Sequence, residues 1–212
     1  RLVRNDRVIW ASCMVSCGDA DGAVTGNTRR YGASLEKITK VVDSRPGEIM
    51  FGLNMIVNRG KTVFVGDTSV HEYPSSEQLA EIAISSARVV RLFGFEPKVA
   101  FVSHSTFGQP LTSRTKHIKN AVNILKEKNV DFKFDGDMQP DVALNDQYKE
   151  LYPFSEIVGN ANILIMPGQH SAAISYKMMR ELGGAKVIGP LLVGLGQPIE
   201  IAPLRSSTSD IL

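Results

Sequence analysis

The feature that most constrains this chain is the alternation of short apolar runs with longer segments of helical period. Strand patterns at Asp21–Val24, Glu48–Val57, Lys61–Val65, Val99 onward, Asp131–Phe134, Ile163–Met166, Val187–Val193 and Pro198–Ile201 are separated mainly by helix-patterned stretches. That order implies right-handed crossovers and a largely parallel sheet covered on both faces. Asn58-Arg59-Gly60 is turn chemistry, so the strands either side of it should pair as an antiparallel hairpin and make the sheet mixed. A chain of 212 residues can form one large α/β domain or two lobes with a cleft between them. The loop at Asp67–Pro74 is a candidate lobe boundary, with a return to the first lobe near residues 195–212.

Local signals place the helices. Asn5–Cys17 carries an imperfect apolar stripe, and Ser34 is a candidate N-cap for a helix with Leu35, Ile38, Val41 and Val42. Ser75 and Gln78 have capping-box spacing ahead of Leu79, Ile82, Ser86, Val89 or Val90, and Phe93, with Gly94 as the stop. A helix from about Ser113 to Lys128 should bury Ile118, Ala121, Val122 and Leu125 and leave a basic, solvated face. Asp137–Tyr152 reads as mostly helical with breaks, and another helix runs from about His170 to Leu182 before Gly183-Gly184.

Several function classes are excluded by what the chain lacks. A net charge of +2, with no Lys/Arg run beyond two residues, carries no nucleic-acid footprint. No apolar stretch approaches the roughly 18 residues that span a bilayer, and Arg1-Leu2-Val3-Arg4 is no signal-peptide core. Cys13 and Cys17 share one helix face and read as buried free thiols, which fits a reducing cytoplasm. Gly194-Leu195-Gly196 lacks the third glycine of a dinucleotide fingerprint, and no Walker-type lysine loop occurs. His71, His104, His117 and His170 have no zinc-ligand spacing, and Gly18–Gly22 is a turn without the later ligands of a calcium loop.

Three constellations remain. In Val99–Gly108 a strand ends in Ser103, Ser105, Thr106 and Gly108 ahead of a helix, which makes a plausible anion-accepting loop; His104 there reads as a ligand contact or packing residue before a general base. Arg29, Arg30 and Tyr31, between Gly26 and Gly32, suit a polyphosphate such as that of coenzyme A with Tyr31 stacked on adenine, or form a solvated loop. Asp135 and Asp137 flank Gly136 at a strand end and read as caps for the following helix before a cation site.

Six blocks together resemble the phosphate acetyl/butyryltransferase family. They are Gly22–Gly26, Phe64–Thr68, Ser103–Thr106, Phe134–Gln139, Gly159–Ile165 and Leu182–Pro190. The resemblance spans essentially the whole chain, with an N-terminal part and a last helix of the family outside it. It implies a phosphotransacetylase-like (isocitrate/isopropylmalate dehydrogenase-like) fold of two α/β lobes, with an interlobe cleft that takes the coenzyme. The active family carries Leu-Ser-Arg-Gly shortly before Asp-Ile-Val, the serine and arginine acting on the coenzyme thiol and the acyl phosphate. Here Pro203 and Leu204 stand at those two positions, and only Asp210 matches. A family arginine used for the coenzyme falls at Glu36.

That departure, with Pro153-Phe154, His170–Ser175 and Pro190–Leu195, is similar to the C-terminal domain of hybrid, NADP-dependent malic enzymes. The resemblance implies a domain without its own catalytic residues, acetyl-CoA as allosteric effector, and homo-oligomers formed through this domain. NADP and a divalent metal are expected only in malic-enzyme domains of the same polypeptide, which oxidatively decarboxylate malate to pyruvate. Taken together, the candidate ligand-contact residues are Thr28, Arg29, Arg30, Tyr31, Thr68, Ser103, Ser105, Thr106, Gly108, Arg205 and Asp210, with no metal ligand. The alternatives are an active phosphate acetyltransferase relying on Arg205 and Ser206, and a purely structural oligomerisation module.

Overall fold

The computed structural model describes residues 2–110 and 112–211; Arg1 and Leu212, named above, lie outside them. After α1 (Leu2–Asn5), the Asp6 carboxylate accepts from the Val8 and Ile9 amides at 3.0 and 3.4 Å and opens α2 (Arg7–Cys17), which closes on Gly18 in the left-handed region. The chain continues through β1 (Ala23–Gly26), α3 (Tyr31–Ile38), β2 (Phe51–Asn58), β3 (Lys61–Gly66), α4 (Ser76–Leu92), β4 (Lys98–Val102) and α5 (Ser113–Glu127). It ends with β5 (Lys133–Met138), α6 (Pro140–Leu144), α7 (Asp146–Lys149), β6 (Ile163–Ile165), α8 (Gln169–Gly183), β7 (Lys186–Val193), β8 (Ile199–Ala202) and α9 (Thr208–Ile211).

Among the described residues there are two sheets. Six strands run in the order β5-β4-β6-β3-β2-β7, and β1 pairs with β8 alone. In the larger sheet β3, β6, β4 and β5 are parallel neighbours. The β2–β3 hairpin is antiparallel as its turn requires, and β7 adds a second antiparallel pairing on the far side of β2. Side-chain alternation sends consecutive residues to opposite faces: Phe64 and Phe101 pack under α4 and α5 with Leu79, Ile82, Ile118 and Leu125. Their neighbours Val65 and Val102 pack on the other face with Val142 of α6 and Ala172 of α8. A third core joins α2 and α3 to β8 and the end of β7 through Val8, Ile38, Leu192 and Ile201.

The capping box of α4 forms as its spacing demands. Ser75 accepts from the Gln78 amide at 3.1 Å while its own N–H donates to Gln78 Oε1 at 2.8 Å, and Gly94 ends the helix at φ 82°. On α5 the four expected core residues are buried and Lys116, Lys119 and Lys126 are exposed.

Four expectations are corrected. Ser34 is no cap: the helix begins at Tyr31 without a side-chain cap, and Ser34 is buried inside it with an unpartnered hydroxyl. Asp135-Gly136-Asp137 continues β5, so neither aspartate caps α6, whose N-cap is Gln139. Residues 67–74 join β3 to α4 within one sheet unit, and the passage from the small sheet to the large one lies earlier, between α3 and β2. Cys13 and Cys17 are free thiols, but Cys17 is exposed, because α2 turns that position outward.

These cores give a measurable contrast. Phe101→Ala opens a cavity in the core under α4 and α5 and should lower unfolding free energy by about 3–5 kcal/mol, whereas Ser75→Ala, which removes one cap, should cost about 1 kcal/mol. Urea denaturation giving equal losses for the two variants would contradict the assigned core.

Candidate functional site

The cleft between the two sheet units is lined from three elements. Tyr176 and Arg180 come from α8, Lys186, Val187 and Gly189 from β7, and Pro203–Ser206 from the turn after β8; the cavity measures about 390 Å³. Its lining holds three cationic side chains, Arg180, Lys186 and Arg205, and no carboxylate. Arg205 adopts φ 63°, and its amide donates to the Asn27 carbonyl at 3.1 Å, which holds the turn against the small sheet. Arg180 Nε donates to Glu181 Oε1 at 2.7 Å on the exposed rim, and burial pushes the Tyr176 phenol above its usual range. Proline and leucine at 203 and 204 offer neither a nucleophile nor a donor for a developing negative charge. Chemically the cleft can bind an anion, and the hydroxyl-bearing side chains of its lining are Tyr176 and Ser206.

Between the two sheets lies a second titrating feature. Glu200 of β8 accepts from the Leu192 amide of β7 at 2.9 Å, and burial pushes its carboxyl up to about 7. Tyr31 packs against the core shared by α2, α3 and β8, and its buried hydroxyl has no partner. Burial, with Glu200 and then Asp67 nearby, drives that phenol far above the ordinary range.

The remaining ligand-contact candidates fall elsewhere. Thr28 accepts from the Arg7 guanidinium, and Arg29 pairs with Asp6 at 2.9 Å. Lys37, first, and Arg29 hold the Asp6 carboxyl well below the usual range. Arg30 is exposed at the start of α3. Tyr31 is half-buried, with its ring against the core shared by α2, α3 and β8. Thr68 is buried and donates to the Gly52 carbonyl at 3.1 Å. Asp210 falls in α9.

The 103–108 loop is sewn to the end of β5. Ser105 Oγ donates to Asp137, the Gly108 amide reaches Asp137 Oδ1 at 2.9 Å, and the Gln139 amide reaches Thr106 Oγ1 at 3.3 Å. Asp135 in turn accepts from the Glu156 amide at 2.8 Å. Ser105 and Thr106 are therefore buried and partnered, while Ser103 and His104 line a crevice of about 310 Å³ at the strand ends. No group of three or more potential metal ligands gathers among the described residues, and none of the described helices is long and apolar enough to cross a membrane. Tyr176 and Arg180 carried no motif in the sequence, and Lys186 stood in a family-like block with no role assigned; only the packing of α8 and β7 against the 203–206 turn brings them together.

The fold of these two sheets is shared with solved phosphotransacetylases. A phosphotransacetylase from Streptococcus pyogenes superposes with TM-score 0.88 at 29% identity, over 96% of this chain and 63% of that one. A model of the phosphate acetyl/butaryl transferase family matches residues 1–212, and the chain belongs to that family. It is 47% identical over 212 residues to an NADP-dependent malic enzyme of Rhizobium meliloti, covering all of this chain and 28% of the relative. Over 209 residues it is 32% identical to a phosphate acetyltransferase of Buchnera aphidicola, covering 98% of this chain and 30% of that one. The chain thus spans less than a third of the length of these two curated relatives.

Glu200 makes stability fall with pH in a defined window. Its folded-state pKa near 7 lies above the ordinary carboxyl value, so the native state holds the proton longer than the unfolded one. The stabilisation is complete below about pH 4.3 and is lost as pH rises to 7, by roughly 2–3 kcal/mol. Glu200→Gln should flatten thermal stability across that window; an unchanged slope would remove Glu200 as its source. Separately, Asp137→Ala should raise amide exchange at Gly108 and its neighbours, which lose their acceptor, before it alters exchange in β2 or β3.

Proposed function

We infer that this chain is a regulatory, non-catalytic domain of an NADP-dependent malic enzyme, sensing acetyl-CoA in the cleft and assembling the holoenzyme. The observation that carries the reading is Pro203-Leu204 in the wall of a cleft that retains Arg180, Lys186 and Arg205. The wall facing the ligand has kept its affinity for phosphates while lacking the serine and arginine of the family's reactive pair. The identity to malic-enzyme relatives over the whole chain supports the same placement. In this reading the chemistry, oxidative decarboxylation of malate to pyruvate with NADP and a divalent metal, belongs to cytoplasmic malic-enzyme domains of the same polypeptide.

Assembly is supported by α8, where Ile174, Met178 and Leu182 form an i, i+4 stripe that is 57%, 54% and 82% exposed. A twofold contact would bury that stripe against its copy.

Calorimetry on the full-length protein tests the reading. Acetyl-CoA should bind saturably and change malate-dependent NADP reduction, and Arg180→Ala or Lys186→Ala should weaken it about tenfold, the worth of one charge-assisted contact. No acetyl phosphate should form from acetyl-CoA and phosphate. Absence of binding would sink the sensor. Acetyl-phosphate formation lost on Arg205→Ala would instead support an active transferase using Arg205 and Ser206, which stand side by side in the cleft. Binding that leaves malate turnover untouched would reduce the domain to a structural module.

A further inference from the structure

A sensor of acetyl-CoA meets a difficulty that cations cannot solve, because free coenzyme A carries the same phosphates. Arg180, Lys186 and Arg205 attract both alike, so the distinction has to come from a neutral group in the cleft. Of the two hydroxyls in the lining, Ser206 Oγ already donates to the Pro203 carbonyl at 2.9 Å, which leaves Tyr176. Behind Tyr176 stands Asn54, in the middle of β2 and opposite Val65 of β3. Val65 and Ile56 belong to the core that Tyr176 packs against. Asn54 is fully buried, and a Cβ at Gly189, which lines the cleft, would stand 3.1 Å from its Oδ1.

Only half of the Asn54 amide is engaged. Its Oδ1 lies 3.4 Å from Thr68 Oγ1, a hydroxyl shared with the Gly52 carbonyl at 3.1 Å. Its Nδ2 is buried with no hydrogen-bond partner among the described residues. A buried amide nitrogen left in that state is costly, which points to a partner gained in another state of the protein. Tyr176 is near enough to respond to it: burial raises the phenol, while Arg180 and then the Asn54 amide oppose that rise. The phenol therefore stays protonated at neutral pH and has one proton to give. When its oxygen accepts from Asn54 Nδ2 behind it, that proton is directed forward, into the cleft.

We propose that Asn54 is a positioning residue for ligand discrimination: its Nδ2 donates to the Tyr176 hydroxyl, which in turn donates to the thioester carbonyl of acetyl-CoA, an acceptor that free coenzyme A lacks. The assignment rests on the reading that acetyl-CoA binds in the cleft. Calorimetry on the full-length protein, with acetyl-CoA and coenzyme A as probes, tests it. Tyr176→Phe and Asn54→Leu should each weaken acetyl-CoA about fivefold, as expected for one neutral hydrogen bond. Coenzyme A should stay within about twofold, a selectivity that general damage to the cleft would not produce. The double variant should bind acetyl-CoA no more weakly than Tyr176→Phe alone, because both changes remove the same donor. Should Asn54→Leu not fold, a crystal structure of the unaltered protein with acetyl-CoA decides: Tyr176 Oη should lie within about 3 Å of both Asn54 Nδ2 and the thioester oxygen. Equal losses for the two ligands, additive losses in the double variant, or a Tyr176 hydroxyl missing either contact would overturn the role of Asn54 and leave the sensor standing. Absence of acetyl-CoA binding would overturn both.

Discussion

The structure depends first on one buried carboxylate. Asp67, at the end of β3, is 1% exposed and accepts from the amides of Gly52, Ser69 and His71 at 2.9, 2.8 and 2.7 Å. The Val70 amide and His71 Nδ1 complete the set. A buried ion is tolerable only when donors converge on it in this way. The result is a knot: Gly52 ties the carboxylate to the hairpin, and the other donors turn the chain sharply toward α4. Beyond that turn other elements hold the segment, with His170 on Glu72 at 2.9 Å and His117 on the Pro74 carbonyl at 2.7 Å.

Asp137 repeats the arrangement at the end of β5, gathering the loop after β4. Two strand ends, two aspartates and two captured loops shape the carboxyl edge of the larger sheet. The backbone cooperates at Gly136, where a Cβ would stand 2.7 Å from the Phe101 carbonyl and φ is 146°, so only glycine lets β5 approach β4 there. Both aspartates lie in blocks that carry the family resemblance, and in this structure both hold loops in place.

What the sequence made legible follows from the range of each interaction. The Ser75–Gln78 box, the Asn58–Gly60 turn and the stripe on α5 are decided within a few residues, and all three form as their spacing demands. Ser34 misled because a serine ahead of an apolar period looks like a cap even when the helix has already begun at Tyr31. Hydroxyls at Thr68 and Ser105 looked like ligand contacts, since a buried donor bonded to a distant carbonyl or carboxylate is indistinguishable, in one dimension, from an exposed one. Pro203-Leu204 was readable against the family pattern, but the cations facing it were not: Arg180 and Lys186 reach the cleft only because β7 pairs with β2 and α8 packs behind it.

The pairing of β1 with β8 has a consequence for how the chain comes to be folded. Ala23 meets Ile199 and Gly26 meets Ala202, so the small sheet joins nearly opposite ends of the sequence. The larger sheet, by contrast, closes entirely from residues between β2 and β7. During synthesis the larger sheet can therefore assemble while β1 waits unpaired, and its partner arrives last. The two walls of the cleft thus belong to different closures of the chain: Arg180 and Lys186 to the larger sheet unit, and Arg205 to the turn that follows β8.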